Sequence, residues 1–471
     1  MTHQNKNPAA PAGISTVLGH PKGLLFLAFT EAWERFSYYG MTALIVLYMA
    51  DQLLLPGHVE HVAGFAAFRA MLESAFGPMS TQALGSQVFG LYTGLIYFTP
   101  VLGGVIADRW IGQRNAVVIG AVLMSAGHLA MAFDQTFLLA LLLLVVGCGF
   151  LKGNISAQVG ALYAHDEEAR RAHGFVIFST GINIGSVAGP LVCGLLAQIY
   201  GWHVGFGAAG AFMLSGLATY LYGYRYLPAR VPRRGGQTHT ARAKVTAAEW
   251  RTVGALLAVM FIAVFQSVAY FEVGNALPVW IKAHVASSVG GFTVPIPWYQ
   301  SIDPLSSILA VPLLLFIWKR QAAGRGEPDD LDKIGMGAWL SAASNLVLVA
   351  AIAWTGDGRI NPLWPIIYCT GLGIAFLYYW PTLLALVSQM APASMSATLV
   401  SASFLTLTFA DFLIGWLGGF YERMTPGAFW LMHAAIGATG GVLVMLFGRR
   451  LRAVLYSSKE EPLQPAAAPV R

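Results

Sequence analysis

The stretch "GLLFLAFTEAWERFSYYGMTALIVLYM", residues 23–49, decides how the chain is read. It is apolar over more than the ~20 residues that a helix needs to cross a bilayer core. Yet Glu31, Glu34 and Arg35 stand in its interior. Ionisable side chains at that depth are costly and are functional by default. On a helix, Glu31, Glu34, Arg35, Tyr38 and Thr42 follow the spacing i, i+3, i+4, i+7, i+11 and share one face. Arg35 falls one turn after Glu31. A purely structural ion network would be a poor source of stability here, because desolvation offsets most of the attraction.

The rest of the chain agrees with this reading. Of 471 residues, 56% are hydrophobic and 11% charged, against about 25% charged in soluble proteins. Twelve apolar runs are candidate spans: 22–50, 82–107, 114–133, 136–163, 174–199, 203–227, 250–280, 297–318, 333–355, 362–388, 394–420 and 427–448. Runs of this length are helices, since barrel strands alternate over about ten residues. The expected fold is therefore an all-α membrane protein. The first residues, "MTHQNKNPAAPAGIST", lack the compact apolar region of a signal peptide and read as a loose tail.

If both termini are cytoplasmic, the outside segments hold only Arg69, Lys282, Arg359 and Arg423. Nearly all other Lys and Arg then fall inside, as the positive-inside rule requires. The net charge of +6 thus reflects topology and implies no nucleic-acid partner. A basic, Gly/Pro-punctuated connector within "LPARVPRRGGQTHTARAKVTAAEWRT" divides six spans from six. The expected organisation is a tail over 1–21, a six-helix bundle over 22–228, a cytoplasmic linker over 229–249, a second bundle over 250–448 and a tail over 449–471.

Four further charges lie in spans: Lys152 in "GCGFLKGNISAQVGALY", Glu272 in "VAYFEVGNAL", Asp303 in "PWYQSIDPL" and Asp411 in "LTFADFLIGWLGG". Small residues around Lys152 admit a close helix or a ligand. His128 and His433 also lie in spans and read as hydrogen-bonded structural residues. The segment from Asp51 to Ser80 is expected to extend the first two helices outward. Cys148, Cys193 and Cys369 fall in apolar runs and read as free thiols, with no metal-ligand spacing. No nucleophile elbow, H-E-x-x-H or phosphate loop is present, so an enzyme is not expected.

"GGVIADRWIGQR", residues 103–114, resembles the gating loop of the major facilitator superfamily, with Asp108 and Arg109 as its charged pair. "EAWERFSYYG", residues 31–40, matches the E-x-x-E-R-F-x-Y-Y-G motif of the proton-dependent oligopeptide transporter family. "GCGFLKGNISAQVGALY" is similar to that family's fourth-helix motif, with K-G-N for its usual K-P-N. "FVIFSTGINIGSVAGPL", residues 175–191, and "PWYQSIDPL", residues 297–305, resemble its fifth- and eighth-helix signatures.

The resemblance runs from about residue 22 to 448. It implies the major facilitator fold of two six-helix bundles; the family's two extra inter-bundle helices are not expected here, because the linker is too short. It implies a proton-coupled symporter importing di- and tripeptides across the inner membrane by alternating access. The expected partners are small peptides and the lipid bilayer, with no obligate protein partner, and no cofactor is expected, protons being the coupling ion.

Residue by residue, the resemblance implies a proton-coupling cluster of Glu31, Glu34 and Arg35, and a peptide carboxylate held by Arg35 and Lys152. Tyr38, Tyr39 and Tyr97 would line the pocket, Asn183 would bond the peptide backbone, and Glu272 would serve coupling and gating. Two departures stand out. The arginine usual at position 42 is Thr42, so Glu272 lacks that partner. The tenth-helix glutamate that receives the peptide amine is Phe376, within "AFLYYWP". Trp380 beside Tyr378 and Tyr379 offers cation–π contact, and Asp303 or Asp411 would take over the amine. The open alternative at this point is the same scaffold retuned to another zwitterionic or anionic solute.

Overall fold

Long apolar runs with their backbone groups paired internally become helices, and the computed structural model is built almost wholly of them. It describes residues 16–17, 19–164, 166–228, 246–324, 326–392 and 394–456. The helices are α1 (Lys22–Tyr48), α2 (Phe65–Phe76), α3 (Thr81–Ile106), α4 (Gln113–Ala130), α5 (Phe137–Ala161), α6 (Glu168–Tyr200), α7 (Trp202–Gly223), α8 (Ala247–Phe271), α9 (Ala276–His284), α10 (Tyr299–Gly324), α11 (Asp330–Thr355), α12 (Leu363–Met390), α13 (Ser396–Gly418) and α14 (Pro426–Tyr456). With α8 and α9 taken as one broken span and α2 set aside as a connector, the described residues form twelve spans at the expected places. The protein is an all-α, multi-pass membrane protein.

Ten of the spans are long and apolar enough to cross a membrane by composition alone. The two others are α1, which carries the charged triad, and α4, which is short and opens on Gln113, Arg114 and Asn115.

Some connections differ from expectation. Residues between α1 and α3 extend α1 by one turn only. They form a π-helical turn (Met49–Leu53), a 3-10 turn (Val59–His61) and α2, entered and left through left-handed Gly64 and Gly77. Glycine adopts that backbone without the Cβ penalty. Part of the amino-terminal tail is ordered: β1 (Thr16–Val17) pairs antiparallel with β2 (His20–Pro21). Residues 449–456, assigned above to the carboxyl-terminal tail, continue α14, where Arg452 pairs with Asp329 and Asp332 at the start of α11. The linker reading falls mainly on residues 229–245, outside the described residues. Beyond it, a Thr246–Glu249 capping box starts α8.

The chain clusters into two compact units. One comprises Met1–Leu44 with Thr99–Gly235, the other Ile45–Phe98 with Gly236–Arg471. In the first, close helix approach depends on glycine. A Cβ on Gly120 would lie 2.6 Å from the Gly147 carbonyl oxygen, and one on Gly103 would lie 2.0 Å from that of Gly149. Gly147 and Gly149, upstream of Lys152, therefore seat neighbouring helices. In the second unit, Trp280, Tyr368, Phe429 and Trp430 are fully buried in one aromatic core.

Candidate functional site

In the first unit, α6 packs on α1 through a stripe of glycines at every fourth residue. Added Cβ atoms on Gly181, Gly185 and Gly189 would lie 2.7, 2.4 and 2.3 Å from the carbonyl oxygens of Ala28, Ala32 and Phe36. No larger residue fits, so the α1 backbone is held against α6 directly beside its charged triad.

Glu31, Glu34 and Arg35 are all buried. Arg35 Nε lies 3.0 Å from Glu31 Oε1 and also pairs with Glu34 Oε2. The guanidinium stands over the Tyr38 ring, 5.5 Å from its centroid, and Tyr38 meets Tyr39 edge to face. Lys152, half-buried on α5, lies within electrostatic reach of Arg35, Glu34 and Glu31. Two acids and two bases thus share one interior place.

The cluster is not saturated. Arg35 Nη2, Glu31 Oε2 and Glu34 Oε1 are buried without a hydrogen-bond partner among the described residues. Buried polar atoms are normally paired, so donors and acceptors stand ready for a polar ligand. Asn183, half-buried on α6, lies on the turn between Gly181 and Gly185 and accepts a hydrogen bond from Ser186 through its carbonyl. Asp108 and Arg109 are exposed in a π-helical turn (Ala107–Ile111), where Asp108 accepts from Gln113.

The second unit holds the remaining candidates. Asp303 on α10 is buried and accepts a hydrogen bond from the Tyr270 hydroxyl of α8. Tyr270 stacks on Phe376 of α12, ring centroids 5.4 Å apart. A Cβ on Gly373, one turn before Phe376, would lie 3.1 Å from Asp303 Oδ1. The structure therefore brings the Asp303 carboxylate beside the α12 turn that carries Phe376. Asp411 is buried on α13, where its carbonyl oxygen would meet a Cβ on Gly90 at 2.4 Å. Trp380 packs on Phe404, and Tyr97 on Phe271.

Glu272 is fully buried where the seventh span breaks between α8 and α9. Its Oε2 accepts from Ala276 N at 3.1 Å and Asn275 Nδ2 at 3.2 Å. Its Oε1 lies 3.1 Å from His433 Nε2 of α14. The sequence reading took His433 as structural and missed this partner. A histidine inside an apolar span was the available signal, but its neighbour lies more than 150 residues earlier in the chain.

Comparison with known proteins agrees with the geometry. A profile of the POT family matches residues 114–248 and 233–431. The chain is 27% identical to the "Di-/tripeptide transporter" of Lactococcus lactis subsp. cremoris, covering 92% of this chain and 96% of the relative. It is 26% identical to "Peptide transporter YePEPT" of Yersinia enterocolitica subsp. palearctica, with 92% and 95% covered. It is 28% identical to "Uncharacterized transporter YclF" of Bacillus subtilis, with 91% and 94% covered. Among solved structures, a peptide transporter POT crystallised with sulfate superposes with a TM-score of 0.81 at 25% identity, over 94% of this chain and 97% of that one. These relatives are transporters, not enzymes, and the family resemblance read from the motifs is borne out.

Proposed function

Because the chain belongs to the POT family, we propose that it is a proton-coupled symporter that imports di- and tripeptides by alternating access. The observation that carries this reading is the unsaturated Glu31–Glu34–Arg35 cluster with Lys152 in reach. Relatives named for di- and tripeptides support the substrate class.

A peptide carboxylate is a planar acceptor that suits the guanidinium fork and the lysine ammonium together. When it takes Arg35, a glutamate loses its cation and is left to hold a proton instead. Release of the peptide restores the Arg35 pair and expels the proton. Each proton moved inward across the potential contributes about 2.3 kcal/mol per 100 mV, enough to drive accumulation.

Tyr38, Tyr39 and Asn183 supply ring faces and an amide beside this cluster. At the amine end we assign Asp303, whose carboxylate stands next to the α12 turn that carries Phe376. Asp411 and Trp380 line the same unit. Asp108 and Arg109 act as the gating turn, and the coupling ion is the proton alone. The protein is placed in the inner membrane, and the Lys and Arg distribution supports both termini in the cytoplasm.

The test is uptake of labelled dialanine and trialanine into proteoliposomes, with and without an inward proton gradient. Accumulation above equilibrium only with the gradient is expected. Uptake indifferent to the gradient would reject the coupling, and absence of uptake would reject the substrate class.

A further inference from the structure

The seventh span does not run through. Its helix stops at Phe271, turns over Glu272–Asn275, and restarts at Ala276. Glu272 controls the break from both ends. Its carbonyl accepts from Leu277 N at 3.0 Å, and its Oε2 accepts from the first amide of α9 and from Asn275. A carboxylate there is favoured by the positive end of α9.

The other oxygen, Oε1, faces His433. The imidazole's Nδ1 lies 3.0 Å from the Phe429 carbonyl oxygen, which can only accept, so Nδ1 carries a hydrogen. The remaining ring nitrogen, Nε2, lies 3.1 Å from Glu272 Oε1, and neither atom has a hydrogen-bond partner elsewhere among the described residues. Two bare lone pairs buried at that distance would repel. One further proton must sit on the pair, as imidazolium with carboxylate or as imidazole with carboxylic acid.

Both side chains are fully buried, and among the described residues Glu272 makes no ion pair with a lysine or arginine. The Tyr368 phenol of α12 lies within electrostatic reach of Glu272, and Asp303 of α10 reaches that same phenol. On α11, Ala342 meets Gly437 of α14 and Asn345 donates to the Ala269 carbonyl of α8; the ionisable residues of α11, Asp330, Asp332 and Lys333, all lie in its first turn. Trp430 and Phe429 close the ring faces of His433.

We propose that Glu272 and His433 form a shared proton site, and that the proton they hold sets the geometry of the break between α8 and α9. It rests on the proton-coupled reading above and adds to it a carrier, His433, that the charged triad of α1 does not supply. With the proton present, Oε1 stays bound to α14 while Oε2 holds the start of α9. Its loss sets the bare ring nitrogen against the carboxylate, and Glu272 must release one of its two attachments.

The test uses the full chain reconstituted in vesicles, as wild type, His433→Gln and Glu272→Gln. Either glutamine still offers an N–H to the remaining partner, so packing is retained. If one variant is not recovered folded, the other carries the same reading. Infrared difference spectra across a pH titration are expected to show carboxyl and imidazole bands changing together in the wild type. In either variant the surviving partner's band should no longer titrate as it does in the wild type. A Glu272 band that titrates identically in wild type and His433→Gln would overturn the proposal. Dialanine counterflow should show the same displaced pH profile in His433→Gln; an equal loss of rate at every pH would mark a structural role only and would also overturn it. Failure of the wild type to carry dialanine would instead count against the peptide reading, and the infrared titration, which needs no substrate, would still decide the proton pair.

Discussion

Arg35 and Glu34 define the chemistry most sharply. Their separation in sequence is a single residue, yet burial makes them one unit with Glu31. Removing a carboxylate's charge while keeping its shape isolates coupling from binding. Glu34→Gln should retain peptide counterflow within about threefold and lose gradient-driven accumulation, which removes the ~2.3 kcal/mol per 100 mV that each proton supplies. Parallel counterflow and uptake assays check this, and undiminished accumulation would reject the assignment. Asp303→Asn keeps an acceptor for Tyr270 but removes the charge. If Asp303 holds the peptide amine, affinity for dialanine should fall about tenfold or more, equivalent to ~1.4 kcal/mol. An N-acetylated dipeptide should lose much less. Asp411→Asn in the same binding assay is expected to match the wild type.

Helices α1 and α6 show how packing places that chemistry. Gly185→Ala puts a methyl group 2.4 Å from the Ala32 carbonyl oxygen, where backbone must move. The expected loss is about 1–3 kcal/mol, as for overpacked interiors, read as a lower thermal midpoint together with weaker substrate binding. Gly104 on α3 has open space where its Cβ would lie. Gly104→Ala should be neutral or slightly stabilising, because alanine is the better helix former by about 1 kcal/mol. The short β1–β2 hairpin adds a pH-dependent element. Arg170 of α6 donates to the Gly19 carbonyl at 2.8 Å through Nε, and His20 Nδ1 lies 2.9 Å from the Tyr163 hydroxyl. Burial, then Arg170, then His173 hold the His20 pKa below its usual 6.5. The docked hairpin therefore favours the neutral ring. That contribution is fully present above about pH 6.5 and is lost as pH falls through the lowered value. Amide exchange at Thr16, Val17 and His20 should be less protected at pH 5 than at pH 7.5, and His20→Asn should remove the difference.

Across the whole molecule, the compact units do not follow the two halves of the chain. The end of α1 from Ile45 and the first part of α3 to Phe98 cluster with Gly236–Arg471. The contact is tight at Gly90, whose Cβ would lie 2.4 Å from the Asp411 carbonyl oxygen and 2.7 Å from Gly415 Cα. Asp51 and Lys282 add an ion pair 2.5 Å long, half-exposed and therefore of little weight in stability. An alternating-access cycle has to open this contact. Ser86 is fully buried in it, against Gly415 and Gly418. With the native cysteines replaced, a Ser86→Cys reporter should react slowly with a membrane-impermeant thiol reagent. Adding Gly90→Val should speed that reaction at least severalfold. An unchanged rate would show that the contact does not govern access.

What the amino-acid order determined by itself was local and periodic. Apolar length set the twelve spans, the i, i+3, i+4 rhythm put Glu31, Glu34 and Arg35 on one face, and the four ordered motifs identified the family. Those features depend on neighbours a few residues apart, so they are written directly in the chain. Tertiary structure alone decided which distant groups meet. It set Asp303 beside the turn of Phe376, showed that Gly147 and Gly149 near Lys152 seat helices, and gave Glu272 a histidine partner. Such pairings depend on the relative rotation and depth of packed helices. Glycine-to-carbonyl contacts between helices set both, and hydropathy does not record them.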